Sequence, residues 1–419
     1  MENKTVLLAR VGRMQDPTSV SEYVALGGFS GLKKAMATDA EALLDEFDAA
    51  MLRGRGGAAY PMGKKWRHLY HSKATPKYIV CNADEGEPGT FKDKLLLEKD
   101  PLSVIEGMII AGYLFGSPQG YIYIRGEYRE IQKIFQQALD HAKAAGYLGR
   151  GILGVDGFDY DIAVISGAGA YVCGENSTLL NSIEGKTGRP RVKPPHLADV
   201  GLYLKPTLVN NVESFACVPV IVNMGGAAFC ALGTPDGGGT KLVCLSGHIK
   251  NRGVYEVPLG TPLKDILYSP EYGGGTSTGR PIGFCHFGGQ SGPIGFPDQL
   301  EDCIYSYQGL WDKGLTVGSG AIVVMDDSVN VVEYLESVME FFVHESCGKC
   351  TPCRLGTQRV LELFRRLLRG TSKADEMDRL ETTLKHMTEL SACGLGQSVS
   401  VSVRSALKYR RADFEALIK

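Results

Sequence analysis

This chain is expected to fold as an α/β layer, then a small α+β unit, then a helical bundle, on three observations. Short β-rich runs alternate with helical patterns through the first half. A strand, hairpin, helix and strand pattern begins near Lys241, and from Asn330 onward strand signals vanish. Alternating β and α segments put helices against a mainly parallel sheet, whereas helical periodicity by itself builds a bundle.

Residues 1–50 suggest an irregular arm plus one helix in DAEALLDEFDAAMLRG. Next come three β-rich runs, KYIVC at 77–81, YIYIR at 121–125 and YDIAVI at 160–165, with helical patterns at 102–115 and 128–145 between them. These fill an α/β region spanning 51–240. The second region, 241–328, contains KLVCLSG, GVYEVP, a short helix at 262–268 and AIVVMDD at 321–327. In the last region, 329–419, apolar residues recur at three- and four-residue intervals over 330–343, 356–369, 373–391 and 402–418, which predicts four helices.

At 419 residues the chain is too long for one ordinary core. Its 45 basic residues against 47 acidic ones leave a net charge of −2, without the surplus that phosphate backbones require, so nucleic acid is excluded as the main partner. The uncharged stretch 214–235 is interrupted by Pro219, Asn223 and Gly225-Gly226, so a buried helix and turn are expected rather than a membrane span. Only four apolar residues in a row precede Arg10, too few for a secretory signal, and a soluble cytoplasmic protein is expected. Eleven cysteines in that compartment imply metal ligation or plain burial.

Cys347, Cys350 and Cys353 form C-x-x-C-x-x-C, and Cys393 follows 40 positions later in SACGLG. Two-residue spacing lets thiolates converge from a tight loop while a distant cysteine completes the set, which points to a [4Fe–4S] cluster. Zinc would also accept four thiolates, although its usual spacing is paired knuckles. The other seven cysteines, 81, 173, 217, 230, 244, 285 and 303, sit among apolar residues and belong in the core.

Three further motifs lie in the first half. RGRGGAAYPMGKKW, 53–66, lacks Walker A spacing because five residues separate Gly57 from Gly63. It still offers close backbone approach to an anion, with Arg55, Lys64 and Lys65 supplying charge. CNADEGEPGTFKD, 81–93, sets Asn82, Asp84, Glu85 and Glu87 at the carboxyl end of a strand, where α/β sheets bind ligands. SGAGAYVCGENSTLLNSIEG, 166–185, spaces its glycines G-x-G-x-x-x-x-G, near but not matching a dinucleotide fingerprint, and the helix after Gly174 presents its N-terminus to a phosphate.

Together with KPTLVNNVES and ESCGKCTPCRLGT, these motifs, in this order from about Gly27 to the C-terminus, closely resemble the NADH-binding flavoprotein subunit of bacterial respiratory complex I, the 51-kilodalton type. Relatives serve NAD-linked hydrogenases, formate dehydrogenases and electron-bifurcating complexes. The resemblance implies an FMN-binding α/β domain, a ubiquitin-like β-grasp middle domain and a helical [4Fe–4S] domain. FMN would be held by Gly54, Gly56, Gly57, Lys65, Asn82, Asp84, Glu85, Tyr171, Gly174, Glu175, Val209, Asn210 and Asn211, with Lys65 and Glu85 in catalytic roles. Glu87 and Lys193 match positions that contact the dinucleotide. Hydride would pass from NAD(H) or NADP(H) to the flavin, and electrons would leave singly through the cluster at Cys347, Cys350, Cys353 and Cys393.

Two departures from the family's pattern bear on the dinucleotide. Phenylalanines around the adenine are replaced by Tyr60, His68 and His196, and C-G-E-E reads Cys173-Gly174-Glu175-Asn176. Losing the second glutamate removes a charge that repels a 2′-phosphate, which makes NADPH an alternative to NADH. The chain ends 26 residues beyond Cys393, so separate chains are expected to carry electrons onward. The resemblance implies a thioredoxin-like [2Fe–2S] subunit and a further iron–sulfur or catalytic subunit of hydrogenase, formate dehydrogenase or complex I type. A second reading is an electron wire that keeps FMN and cluster but binds no nicotinamide. A third is a zinc-binding scaffold.

Overall fold

The computed structural model describes residues 5–373 and 375–418, so the first four residues of the opening run lie outside it. Strands β1 (Tyr78–Ala83), β2 (Gln119–Ile124), β3 (Asp161–Ser166) and β4 (Thr207–Asn211) form one parallel sheet in the order β3-β2-β1-β4. The chain therefore steps outward from β1 to β3 and then returns to the other flank of β1. Strand order reverses between β1 and β4, and such a switch point opens a crevice at the carboxyl ends. The expected strands are all present. The additional one, β4, is five residues long and merges with helix α9 behind it.

Ten helices accompany this sheet. They are α1 (Val20–Ala25), α2 (Ser30–Met36), α3 (Ala40–Ala49), α4 (Met62–His71), α5 (Lys92–Lys99), α6 (Pro101–Phe115), α7 (Arg129–Ala144), α8 (Asn176–Ile183), α9 (Val212–Met224) and α10 (Gly226–Cys230). Helix α6 is buried on nearly every face and packs on α9, so both lie inside the core rather than on it. The stretch 214–235 is accordingly a buried helix, and among the described residues no helix is long and apolar enough to cross a membrane. The first fifty residues correct the expectation of one helix, because α1, α2 and α3 are separate. Helices α1 and α2 span only two turns or fewer, too short to display a period, and form because they pack on α6, α7 and α9. Before them, the Glu256 carboxylate takes the backbone N–H groups of Val6, Leu7 and Leu8 at 2.8–3.1 Å, tying the arm to the middle unit.

The middle unit holds β5 (Thr240–Gly247), β6 (Gly253–Pro258), β7 (Thr261–Pro262), α11 (Leu263–Tyr268), β8 (Ile282–Phe287), β9 (Ile294–Gly295), α12 (Pro297–Leu300), β10 (Ile304–Tyr305), α13 (Tyr307–Asp312) and β11 (Ala321–Asp326). Its main sheet runs β6-β5-β11-β8-β9, with β5 and β11 parallel and the other pairs antiparallel. The last unit packs α14 (Val331–Glu345), α15 (Thr351–Arg369), α16 (Glu376–Leu390) and α17 (Gly394–Glu415) around a core that includes Leu335, Phe342, Phe364 and Val403. Helices α15 and α17 begin five and eight residues earlier than periodicity suggests. Their first turns carry cluster-loop residues in place of an apolar stripe.

Candidate functional site

The switch point gathers the predicted flavin residues. Parallel pairing sets Cys81 beside Asn210 and Asn82 beside Asn211 at the carboxyl ends of β1 and β4. Helix α4 brings Lys65 to the same edge, where its ammonium meets the carbonyl oxygen of Val209 and the Asn210 Oδ1 at 3.1 Å. Burial without a carboxylate partner lowers the Lys65 ammonium to about 8, so an arriving anion would find an uncompensated cation. The glycine loop lies alongside: a Cβ on Gly56 would stand 3.2 Å from the Asn211 Cβ, and Gly57 has φ +118°.

Two polar atoms here are buried without a hydrogen-bond partner, Asn210 Nδ2 and Asp84 Oδ2. Burial lifts the Asp84 carboxyl to about 7, with Arg125 opposing the shift. Orphaned polar groups are costly in a folded chain, so a donor and an acceptor left open beside a glycine loop and an unpaired lysine fit a flavin phosphate and ring. Tyr171, Gly174 and Glu175 come to the same edge, with Asn82 Nδ2 donating to the Gly174 carbonyl at 2.8 Å and to Asn176 Oδ1 at 3.2 Å.

Several side chains do other work than their position in the sequence suggests. Arg55 is fully buried and turned away from the loop surface, donating to the Gly238 carbonyl at 2.8 Å and the Tyr307 hydroxyl at 3.1 Å. Its charge joins a buried cluster in which Glu213 meets Lys92 at 3.0 Å, Lys241 at 2.5 Å and Arg55 at 4.0 Å. Burial would raise Glu213, but Lys241, Lys92 and Arg55 hold it down to about 2. Asn211 is committed to that cluster, donating to Asp93 at 2.6 Å while its Oδ1 accepts from Lys92 at 3.2 Å and caps α9. Glu85 does not face an open ligand site, because its oxygens accept from the N–H groups of Asp93 and Lys94, at 2.8 and 2.9 Å, at the start of α5.

The start of α8 is likewise occupied. The Glu175 carboxylate accepts from Thr178 N at 3.0 Å and pairs with Lys193 at 2.9 Å, so this N-terminus is not the open phosphate site expected of it. Tyr60, His68 and His196 are all exposed. His68 pairs with Asp199 at 2.8 Å on one wall of a groove of about 850 Å³ that Lys64, Arg67 and His71 also line. Glu87 lies beside Tyr171, whose hydroxyl donates to its Oε2 at 2.5 Å.

All four predicted cluster cysteines line one small cavity together with Val172 and Pro190 of the first unit. Among the described residues no three His, Cys, Asp or Glu side chains converge to hold a single ion. The C-x-x-C-x-x-C spacing with a distant fourth cysteine on one cavity suits an iron–sulfur cube better than the paired knuckles usual for zinc. Cys350 and Cys393 are the N-caps of α15 and α17, and burial raises the Cys393 thiol while the N–H groups of Gly396 and Leu395 oppose the rise. Burial pushes the Cys353 thiol up to about 11, with the neighbouring cysteines adding to the shift, so metal must displace its proton. Of the other seven cysteines six are buried and Cys230 is partly exposed, in keeping with the core role expected of them.

The family profile described as the Nuo51 FMN-binding domain matches residues 47–220, and that of the NADH-ubiquinone oxidoreductase-F iron-sulfur binding region matches 333–417. An F-type chain of the NADH-quinone oxidoreductase of Rhizobium meliloti is 41% identical over 415 residues, 99% of this chain and 97% of that protein. The NADP-reducing hydrogenase subunit HndC of Solidesulfovibrio fructosivorans is 41% identical, covering 96% of this chain and 81% of its own. Among solved structures, a chain of an NAD+-reducing [NiFe]-hydrogenase in the H2-reduced state aligns with a TM-score of 0.86 at 33% identity, covering 100% of this chain and 67% of that one.

Proposed function

The chain belongs to the family of F-type chains of NADH-quinone oxidoreductase, and from that premise we propose that it exchanges hydride between NAD(P)H and FMN and passes electrons singly through a [4Fe–4S] cluster to partner chains. One observation carries this reading. Tyr171, at the flavin edge, is followed in the chain by Val172, a wall of the cluster cavity, so two cofactor sites share one turn of backbone.

FMN, when bound, supplies the chemistry that accepts two electrons together and releases them one at a time. The chain's own groups bind and orient it. Gly54, Gly56 and Gly57 would admit its phosphate, the Lys65 ammonium would balance that charge, and the open Asn210 Nδ2 and Asp84 Oδ2 would donate to the ring and hold a proton there. Val209 and Gly174 close the pocket as backbone. Glu85 and Asn211 act as positioning residues, because their polar atoms are spent on α5, Asp93 and Lys92. Glu87, Glu175, Lys193, Tyr60, His68 and His196 line the approach of the dinucleotide, and the middle unit is a ubiquitin-like domain.

The Glu175–Lys193 pair and the neutral amide of Asn176 leave room for a 2′-phosphate, so NADPH is accepted beside NADH; similar chains include both an NADH-quinone oxidoreductase subunit and an NADP-reducing hydrogenase subunit. A thioredoxin-like [2Fe–2S] subunit and a further iron–sulfur or catalytic subunit would take the electrons onward. The test is anaerobic reconstitution with FMN, iron and sulfide, followed by addition of each dinucleotide. One flavin and four irons per chain, with flavin bleaching on NADH or NADPH, support the proposal. Bleaching by dithionite but by neither dinucleotide would select the electron wire.

A further inference from the structure

Glu87 is held from the middle unit, 204 positions away in the chain. The Ser291 hydroxyl donates to Glu87 Oε2 at 2.8 Å and the Ser291 N–H to Oε1 at 3.2 Å. The Tyr171 hydroxyl, from the flavin edge, supplies the remaining side-chain donor, at 2.5 Å. Burial raises this carboxyl, and these donors oppose the rise by bonding the ionised form. Charge-assisted bonds of this kind are the stronger class and fix direction as well as charge.

The loop that presents Ser291 is braced on both sides. His286, fully buried, uses Nε2 on the Gly292 carbonyl at 2.9 Å and meets the Tyr334 hydroxyl of α14 through Nδ1 at 2.9 Å. A carbonyl only accepts, so Nε2 carries the hydrogen and Nδ1 accepts from Tyr334. At the other end Ser319 donates to the Gly288 carbonyl at 3.1 Å and meets Thr90 of the first unit at 2.6 Å. The loop also touches Glu87 directly. A Cβ on Gly289, whose φ is +86°, would stand 2.1 Å from the Glu87 Cγ. The carboxylate then lines a cavity of about 320 Å³ with Asp84, Arg125, Tyr171 and Glu345.

We propose that Ser291 is a positioning residue for the dinucleotide, and that the middle unit thereby forms part of the nicotinamide-nucleotide site. This rests on the proposed role of Glu87 as a dinucleotide contact. An unaided glutamate at the mouth of a cavity samples several rotamers, and each lost alternative strengthens binding of a ligand that needs one of them.

The experiment uses the full chain loaded with FMN and cluster. It measures KM for NADH with ferricyanide as acceptor, the dissociation constant for NAD+ by calorimetry, and flavin per chain. Ser291→Ala should raise both constants about tenfold, with kcat lowered less than about threefold and one flavin retained. Ser291→Thr, which keeps the hydroxyl, should stay within about twofold of the parent, and Gly289→Ala should raise KM by displacing Glu87. Adding Ser291→Ala to Glu87→Gln should raise KM no further than Glu87→Gln does by itself, because one removes what the other orients. If Glu87→Gln raises KM and Ser291→Ala does not, or if their effects add in full, the role of Ser291 is overturned and that of Glu87 stands. If Glu87→Gln leaves both constants unchanged, the Glu87 reading falls and the Ser291 role with it.

Discussion

The cluster cavity draws three of its four cysteines from seven consecutive positions, 347–353, whereas the flavin edge draws on residues from Gly54 to Asn211. The first assembles around a short loop between two helices. The second exists only when β1 and β4 pair in register and α4 folds over them. They also differ in what lies beneath. Two of the four thiols, Cys350 and Cys393, sit on helix N-caps, while the flavin edge stands on three buried cations and the carboxylates of Glu213 and Asp93. A site built from neighbours in the chain can be lost without disturbing the rest, and a site built from distant residues fails along with its foundation.

The sharpest way to break this contrast is Cys350→Ala, which should abolish the cluster while one flavin per chain remains. Iron analysis and flavin absorbance read both, and loss of flavin from a folded variant would show that the two sites are not independent. Next in size is Glu213→Gln, which leaves Arg55, Lys92 and Lys241 facing one another without their central anion. Removing one partner of a buried charge group costs about 3–5 kcal/mol, so thermal melting should fall by roughly 10 °C and flavin should be lost with it. The cluster domain should hold its iron at temperatures where the flavin edge has opened.

A smaller effect concerns Lys65. Its ammonium sits at about 8 when no anion is near, and bound phosphate raises it, so flavin binding takes up a proton above that pH. Affinity for FMN is therefore complete below about pH 8 and weakens by up to about tenfold per unit above it. Lys65→Met should weaken binding at neutral pH and flatten the slope, as equilibrium dialysis would measure. Smallest is Asn176→Glu, expected to shift the ratio of kcat/KM toward NADH over NADPH by about tenfold through restored repulsion. An unchanged ratio would remove Asn176 from the specificity argument.

The alternating first half, six of the eleven described strands and the four C-terminal helices were legible in the sequence, because each depends on local period. What escaped depends on packing. Helices α1 and α2 are too short to show a period, and β4 is hidden by its continuation into α9. Ser291 was invisible as a candidate, since nothing near GGQSG marks it; a glycine pair before a hydroxyl after an apolar strand was the only hint.

Residue chemistry and spacing were enough to single out the cysteines, the glycine loop and the acidic turn as candidates, because thiol spacing and backbone freedom are local properties. Which way each side chain points was decided by the tertiary structure. Arg55 turns inward because Glu213 is buried behind it, Glu85 caps α5, and Asn211 answers to Asp93 while Asn210 stays open. Direction follows from the nearest unsatisfied partner in space, and for Arg55, Ser291 and Asn211 that partner is more than a hundred residues away in the chain.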